Sequence, residues 1–345
     1  MKKPPKPRTK AYDLYWYFAA ERQRIFERRV AGEAGPWTED PILREFKFCN
    51  VFRAADRVSQ HLIRDVAYRS DAGCPEDRVF QIVASRTFSR VETWNAVCEH
   101  LGAAPCIKAL ASGDFTRALE YARRTTGRLY TGAFILCATD AFGQRIKHLN
   151  HVELFREMFV RRDLAKRVLA AGSLDAVFHL LRDYPLMGDF MSYQTAIDLN
   201  YSELLSFSEN AFTRPGPGAL RGIKKVFEDV GDFSPSELIL WMVDQQHAEF
   251  RRLGLPFSGL WGRALHAIDA QGLFCEVDKY CRVAMPELPS ARSQIKSRFT
   301  ASPDPMHLFF PPKWRLNARL PGHAVLGTRK ERPSPSPKTL SASLL

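Results

Sequence analysis

The chain has 345 residues, enough for one large domain or two smaller ones with a substantial buried core. Hydrophobic residues make up 45% and charged residues 26%, a composition that argues against a disordered chain. No apolar run reaches the roughly 18 residues that a membrane span needs, so no membrane association is expected. Seven cysteines are dispersed without a CxxC pair. We therefore expect reduced thiols and an intracellular protein, cytoplasmic in a bacterial or phage host and nuclear in a eukaryotic one.

The net charge of +12 is concentrated at the two ends of the chain. Residues 1–10 contain five Lys or Arg and no acid, and residues 313–345 contain seven basic residues and one Glu. We expect both segments to be disordered basic tails on either side of a folded domain at 11–312. Tails of this kind attract DNA phosphates, although a role in solubility or nuclear targeting predicts the same composition.

Hydrophobic residues recur with helical spacing throughout 11–312, and no stretch alternates with period two for long enough to predict a sheet. We predict an all-α, multi-helix bundle with two lobes, at 11–184 and 185–312. The predicted helices lie at about 11–30, 42–68, 77–88, 91–101, 105–112, 114–126, 131–138, 148–160, 161–170, 172–182, 190–198, 201–209, 219–230, 235–253 and 258–268.

The second predicted helix carries a polar face that is a candidate binding site. Asn50, Arg53 and Arg57 fall at positions i, i+3 and i+7, which places an amide and two guanidiniums on one side. Such a face can bind phosphate or orient the edge of a base. Salt bridges from these arginines to Glu21 and Asp56 would explain the same pattern equally well.

A second candidate site lies at the end of the helix predicted near 190–198. Gln194, Asp198, Asn200 and Tyr201 bring together a carboxylate, two amides and a phenol. They predict a pocket wall in which Asp198 acts as a base or as an orienting group. Ordinary capping of a helix that starts at Tyr201 is the alternative.

A third candidate is the glycine-rich segment at 213–227, which has the pattern of a helix–hairpin–helix element. Gly216 and Gly218 would let the backbone approach a DNA phosphate, and the amides at the start of the second helix favour an anion. Arg214, Arg221 and Lys224 add positive charge. A plain turn between two helices has the same appearance.

Acidic residues further along the chain are weaker candidates. Asp244 and Glu249 follow the hairpin at a spacing that loosely suits a catalytic carboxylate, although a solvated helix face fits as well. The cluster around Glu276 and Asp278 would suit a cation or an amine, and a salt-bridged surface helix is the alternative. No metal-ligand motif is present, and the chain lacks the GxxxxGK[ST] loop of P-loop kinases as well as GxGxxG, HExxH, GxSxG and zinc deaminase signatures.

In their order, these segments resemble the helical domain of phage 5-hydroxymethyluracil DNA kinases and the related amino acid:DNA transferases, described as α-glutamyl/putrescinyl-thymine pyrophosphorylases. The resemblance covers about 11–314. It is carried by ERQRI at 21–25, PWTEDPILREFKFCNVFRAADRVS at 36–59, YQTAIDLNYSELLSFSENAF at 193–212, RPGPGALRGIKKVF at 214–227, CEVDKYCR at 275–282 and FFPPKW at 309–314.

The resemblance implies a DNA glycosylase-like helical fold and the hypermodification of thymine in DNA. In that chemistry a hydroxymethyluracil base is phosphorylated, and an amine or amino acid then displaces the phosphate or pyrophosphate. The base has to leave the stack to be reached. The resemblance would place the hairpin on the DNA backbone and the Asn/Arg face near phosphate or base. Asp198 or Glu249 would then deprotonate the amine.

Three functions follow as hypotheses. The first is a transferase acting on phosphorylated hydroxymethyluracil in DNA, the second a glycosylase-like enzyme using Asp244, and the third a non-catalytic DNA-recognition module. The expected partners are DNA and a 5-hydroxymethyluracil DNA kinase or a thymine hydroxylase. No bound cofactor is expected, with Mg²⁺ as an optional companion of the phosphate and an amine or amino acid as co-substrate.

Overall fold

The computed structural model describes residues 2–71, 73–132, 140–290, 294–295, 297–301 and 306–322, and most of these residues are helical. Two π-helical stretches, Leu62–Ala67 and Arg156–Arg161, continue α3 and α8 below. The α-helices are α1 (Thr9–Val30), α2 (Pro41–Glu45), α3 (Arg57–His61), α4 (Pro75–Phe88), α5 (Val91–Leu101), α6 (Ile107–Ser112), α7 (Asp114–Thr126), α8 (Lys147–Phe155), α9 (Leu164–Leu169), α10 (Leu174–Arg182), α11 (Asp189–Tyr201), α12 (Pro217–Val226), α13 (Pro235–Arg252) and α14 (Ala267–Ala284). The all-α prediction is confirmed.

The long helix α1 is at the centre of one group of helices. Its residues Tyr15, Trp16 and Phe18 are fully buried because α12, α13 and α14 pack around it. Helices α12 and α14 approach each other closely at Gly222, where a Cβ atom would lie 2.0 Å from the carbonyl oxygen of Phe274. The amino-terminal helix is therefore part of the same packing unit as the carboxyl-terminal helices.

A second group of helices surrounds α4, which contacts α9, α11 and the π-helical stretch after α3. Helices α10 and α11, which flank the predicted lobe boundary at 184/185, pack against each other. The buried hydrophobic side chains of both groups form one continuous core. The described residues thus show no separation at the predicted boundary. None of the described helices is both long and apolar enough to cross a membrane.

Three of the predicted helices differ from the structure. The predicted helix at 42–68 is broken after α2, where the chain pairs with the segment at 297–299. Lys47 N donates to Ser297 O (2.9 Å), and Phe299 N donates to Glu45 O (2.9 Å). The predicted helices at 201–209 and 258–268 are loops, and helix α14 begins only at Ala267. The predicted helix at 131–138 lies mostly outside the described residues.

The amino-terminal segment is ordered on the body, contrary to the prediction of a disordered tail. Strand β1 (Lys6–Pro7) pairs antiparallel with strand β2 (Phe227–Asp229). Ion pairs follow this pairing, including Lys3 Nζ with Asp229 (2.6 Å) and Lys6 Nζ with Glu228 (2.6 Å). The acidic stretch after α12 neutralises the lysines, and this complementarity was not visible in the composition of the segment alone.

The prediction of a disordered tail from residue 313 is also wrong for the part that the structure describes. Single turns of 3-10 helix form at Pro312–Trp314 and Asn317–Arg319. Lys313 Nζ donates to the carbonyl oxygens of Ser202 (2.9 Å) and Leu205 (2.6 Å), and Leu316 is buried. The segment is ordered because an ammonium satisfies carbonyls of the loop after α11. Residues 323–345 lie outside the described residues.

Candidate functional site

Asp198 lies at the centre of a buried cluster of charges, hereafter the Asp198 cluster (Asp198, Arg53, Arg86 and Gln194). Its side chain is fully buried on α11, and Arg53 Nη1 lies 2.7 Å from Oδ1. From α4, Arg86 Nη2 donates to Oδ1 (3.0 Å) and Nε donates to Oδ2. Arg53 Nε also donates to Gln194 Oε1 (2.7 Å). The cluster joins α4, α11 and the segment before α3.

The charge balance of this cluster keeps Asp198 ionised. Burial alone would raise its pKa, but the guanidiniums of Arg53 and Arg86 outweigh burial and lower the pKa below its ordinary value. Taking up a proton would break two ion pairs in a region that excludes water. This geometry does not suit the predicted role of Asp198 as a general base. It suits a structural ion cluster.

The other residues predicted beside Asp198 also have structural contacts. The Asn200 side chain closes the loop after α11, since Nδ2 donates to Phe207 O (3.0 Å) and Oδ1 accepts from Phe207 N (2.9 Å). Tyr201 is buried, with its ring 5.5 Å from the Arg53 guanidinium carbon and edge-on to Trp314. The predicted pocket wall is therefore closed by packing.

The predicted Asn/Arg face does not form, because Asn50 lies in the irregular segment between α2 and α3. Arg53 points into the Asp198 cluster. Arg57 is on the surface, where its side chain is 77% exposed and Nη2 donates to Glu92 (2.8 Å). Asn50 instead accepts a hydrogen bond from Arg22 Nη2 (2.7 Å). The three side chains therefore lie in three different parts of the structure and do not form one binding face.

The glycine-rich segment is not a tight hairpin between helices in the described structure. Helix α11 ends at Tyr201, and α12 begins only at Pro217, after a long loop. A Cβ atom on Gly216 would lie 2.9 Å from the Phe190 ring, and one on Gly218 would lie 2.8 Å from Cys275 Sγ. These glycines therefore allow close packing inside the protein. The prediction that they form an open corner for a phosphate is therefore wrong.

The basic residues around this segment share two carboxylates, and each carboxylate pairs with more than one cation. Arg214 pairs with Asp189 (3.0 Å), and Arg221 pairs with the buried Asp278 (3.3 Å). Lys224 is exposed on α12. Asp189 also pairs with Arg182, and Asp278 also pairs with Lys225 and Arg282, so this part of the structure keeps an excess of positive charge.

The two carboxylates predicted on α13 differ in exposure, because the Glu249 side chain is largely covered whereas Asp244 faces outward. Asp244 is exposed to solvent. Glu249 accepts from Arg252 Nε (2.7 Å), and Arg252 also pairs with Asp13 of α1. No described contact joins either carboxylate to the Asp198 cluster, so the structure does not assemble them into one site.

The acidic cluster on α14 follows the salt-bridge alternative, although its carboxylates are buried and do not lie on the surface. Glu276 accepts from Cys49 N (2.9 Å) and pairs with Lys279 (2.5 Å). Asp278 pairs with Arg282 (2.7 Å) and Lys225 (3.1 Å). Among the described residues, no group of three or more His, Cys, Asp or Glu is arranged to hold a metal ion.

A cavity of about 130 Å³ lies between α1 and the segments that flank α2, and it is partly open to solvent. We call it the arginine–aromatic cavity. Its lining consists chiefly of basic and aromatic side chains, which are Arg22, Arg29, Arg44, Trp37, Phe46, Phe48 and Phe299. Helix α1 contributes Arg22, Ile25 and Arg29, which share one face because they are three and four residues apart.

Arg22 is a buried charged group of this cavity, with only 8% of its surface exposed. Nη2 donates to Asn50 Oδ1 (2.7 Å), whereas the buried Nη1 has no hydrogen-bond partner among the described residues. Burial lowers the pKa of Arg22, and a more distant Asp56 offsets this only in part. An unsatisfied buried donor costs about 1–3 kcal/mol, so an acceptor atom placed in the cavity would be stabilising.

Arg29 lies two turns further along α1, beside two aromatic rings that contact each other edge to face. Its guanidinium carbon is 5.2 Å from the centre of the Trp37 ring and 5.7 Å from that of Phe299. No carboxylate pairs with it in the described part of the chain, and burial lowers its pKa. A half-buried cation without a counter-ion attracts an anion or the electron-rich face of a ring.

Comparison with known proteins identifies the family. Residues 9–290 match the family described as 5-hmdU DNA kinase, helical domain. The chain belongs to this family. A 5-hmdU DNA kinase of Bacillus phage SP10 is 27% identical over 301 residues, which cover 81% of this chain and 46% of that kinase. The chain thus spans about half the length of this curated relative. No solved structure gives a significant match.

The family resemblance noted in the sequence is therefore confirmed, while the residues of the cavity were missed as a site. The segments that carry the resemblance include Arg22 and Trp37, but neither stands in a known binding motif. The signal in the sequence was that the segments ERQRI and PWTED occur in the same order as in the family. Phe299 gave none, because it lies beyond residue 290 and reaches the cavity only through pairing of its segment with Glu45 and Lys47.

Proposed function

We propose that this helical domain acts on 5-hydroxymethyluracil in DNA as part of a thymine-hypermodification system. The family match over residues 9–290 carries the proposal. The structure adds a cavity with an unsatisfied buried guanidinium and aromatic walls, which is the kind of site that takes a planar ligand with acceptor atoms. DNA is accordingly the proposed substrate, and a 5-hydroxymethyluracil DNA kinase or a thymine hydroxylase is the proposed partner.

The proposed chemistry is transfer of an amine or amino acid to the activated base. The amine nitrogen attacks the methylene carbon on C5, the carbon–oxygen bond breaks, phosphate or pyrophosphate leaves with the electron pair, and the nitrogen releases a proton. A group must accept that proton. Both oxygens of Asp198 are held by two arginines, so Asp198 has no free oxygen for this role, and Glu249 is paired through Oε2 with Arg252.

This observation favours a second candidate, a recognition domain that presents the base to a separate catalytic partner. The chain matches 46% of the kinase of Bacillus phage SP10, so a domain of this kind also exists joined to further sequence. In this version the domain binds modified DNA, and the partner phosphorylates the hydroxymethyl group. Base excision through Asp244 receives no support from the position of that residue on the exposed side of α13.

One assay separates these possibilities. The protein is incubated with duplexes that contain 5-hydroxymethyluracil or its pyrophosphorylated form, together with amino acids and with or without a 5-hydroxymethyluracil DNA kinase. The DNA is then digested and the nucleosides are weighed. A heavier nucleoside formed without the kinase supports transfer. A heavier nucleoside that forms only in the presence of the kinase supports recognition, and a released base supports excision. No selective binding and no product in any mixture would refute the proposed function.

A further inference from the structure

The arginine–aromatic cavity has the size of one six-membered ring. Its volume of about 130 Å³ is close to the roughly 150 Å³ of an apolar cavity that accepts one benzene molecule. A two-ring purine would be too large without movement of the walls. Trp37 and Phe299 supply ring faces on which a flat ligand can stack.

The polar end of the cavity has a defined direction. Asn50 holds one arm of the Arg22 guanidinium, and Asn50 is itself fixed because its Nδ2 donates to Ala55 O (2.8 Å) and its backbone N donates to Asp56 Oδ1 (2.9 Å). The second arm, Nη1, is buried and unpartnered. A guanidinium only donates hydrogen bonds, so this arm requires an acceptor such as a ring carbonyl.

The outer part of the cavity carries positive charge. Arg29 lies beside the two aromatic rings without a carboxylate partner in the described part of the chain, and Arg44 lines the cavity with a loose ion pair to Glu39 (3.8 Å). A nucleotide whose ring entered the cavity would leave its phosphates outside, where guanidiniums can bind them.

We infer that the arginine–aromatic cavity binds a single uracil-type ring that has left the DNA stack, with the Arg22 guanidinium donating to the C4 carbonyl and Arg29 facing a flanking phosphate. The inference rests on the proposed function and names the place and the edge at which the base is held. A uracil-type ring presents carbonyl oxygens at C2 and C4, whereas cytosine replaces the C4 oxygen with an amino group that cannot accept from arginine.

The test compares binding to short duplexes with one central 5-hydroxymethyluracil, thymine or 5-hydroxymethylcytosine. Wild type is expected to prefer 5-hydroxymethyluracil over 5-hydroxymethylcytosine. Arg22→Met is expected to weaken binding to the 5-hydroxymethyluracil duplex about tenfold and to remove that preference. Binding to the 5-hydroxymethylcytosine duplex through phosphates should change little. The matched control is Arg24→Met, because Arg24 is also on α1 but is exposed and pairs with Glu21.

A second variant keeps the test decisive if Arg22→Met folds poorly. Phe299→Ala removes one aromatic wall at a partly exposed position and should also weaken binding to the 5-hydroxymethyluracil duplex selectively. Free 5-hydroxymethyl-2′-deoxyuridine is the competitor that distinguishes a base in DNA from a free nucleoside. Competition at low concentration would overturn the requirement for DNA, and weak or no competition supports it.

Two further outcomes separate this inference from the proposed function. If wild type selects 5-hydroxymethyluracil but both variants bind every duplex as wild type does, the cavity assignment is overturned and the proposed function stands. An equal loss of binding to all duplexes in the variants also overturns it, because the cavity would then hold phosphate alone. If wild type selects no modified base and supports no modification, the proposed function itself fails.

Discussion

The Asp198 cluster and the arginine–aromatic cavity both bury arginine side chains, but their charges are balanced in different ways. In the first, one carboxylate is held by two guanidiniums, and its pKa is lowered. In the second, Arg22 is held by a neutral amide, and one of its donor groups has no partner in the described part of the chain. A guanidinium that lies against a carboxylate indicates a structural role, whereas a buried guanidinium arm with neither an acceptor nor a counter-ion leaves room for a ligand.

The comparison also shows why residue type was a poor guide to function. Asp198, Gln194 and Arg53 are the residue types of a catalytic pocket, yet they satisfy one another. Arg22 and Trp37 are the residue types of a helix surface and a turn, yet they line the cavity. Four substitutions test this contrast.

The largest expected effect comes from Asp198→Ala. It leaves two buried guanidiniums without their carboxylate, and removing one partner of a buried ion pair costs about 3–5 kcal/mol. The free energy of unfolding, measured by chemical denaturation, should fall by that amount. The control is Asp244→Ala on the exposed side of α13, which should change it by less than about 0.5 kcal/mol. A loss below about 1 kcal/mol for Asp198→Ala would show that the cluster is not structural.

Gly222→Ala should have the next largest effect. Its Cβ would lie 2.0 Å from Phe274 O, so α12 and α14 would have to separate. Overpacking of this kind costs about 1–3 kcal/mol, which outweighs the gain in helix propensity. Gly272→Ala on α14 is the matched control, because nothing lies within 4 Å of its added Cβ. It should leave stability unchanged or raise it by up to about 1 kcal/mol. Equal results for the two variants would refute the packing role of Gly222.

The contributions of Asp56 and Asp198 to stability should depend on pH with opposite signs. Burial and Glu276 raise the pKa of Asp56, near Arg22, from 3.8 to about 6, although Asn50 and Arg22 oppose this. The folded protein therefore takes up a proton between these values, and the contribution of Asp56 to stability falls as pH rises through that window. For Asp198, whose pKa is lowered, the contribution is present above pH 3.8 and is lost when pH falls through the folded pKa.

Asp56→Asn tests this sign. Denaturation at several pH values between about 4 and 7 should show that wild type loses stability relative to the variant as pH rises. Asn keeps an oxygen that can accept from Asn50 N, so the backbone contact is preserved. Parallel profiles for the two proteins would contradict the raised pKa and the carboxyl burial that causes it.

The smallest effect is expected from Lys6→Ser. The ion pair between Lys6 and Glu228 is 2.6 Å long, but the two side chains are 72% and 39% exposed. Water and salt screen such a pair, so denaturation should show no resolvable change, at low or at high salt. A clear loss of stability would mean that strand β1 depends on this pair more than on its backbone pairing with β2.

Much of the helical architecture was predictable from the sequence. The predicted helices at 91–101 and 114–126 agree with α5 and α7, and the start of α13 at Pro235 was found, where Ser234 and Glu237 form a capping box. These are local signals, because caps and helical periodicity involve residues within a few positions of one another. The family was also predictable, since it depends on the order of segments along the chain.

The site was less predictable, because its chemistry depends on partners that are distant in sequence. Arg86 meets Asp198 across 112 positions, and no pattern around either residue indicates the pair. The extended segment after α2 has helix-like apolar spacing, yet it pairs with residues near Phe299. Gly216 and Gly218 have the composition of a phosphate-binding corner, but Phe190 and Cys275 occupy the adjacent space.

Short-range periodicity and the order of motifs were therefore enough to predict that the chain is helical, where most of its helices lie and which family it belongs to. Only the tertiary structure decided which charged groups are satisfied and which are left with a free donor. That distinction depends on burial and on long-range pairing. It assigns Asp198 to the framework and Arg22 to the cavity.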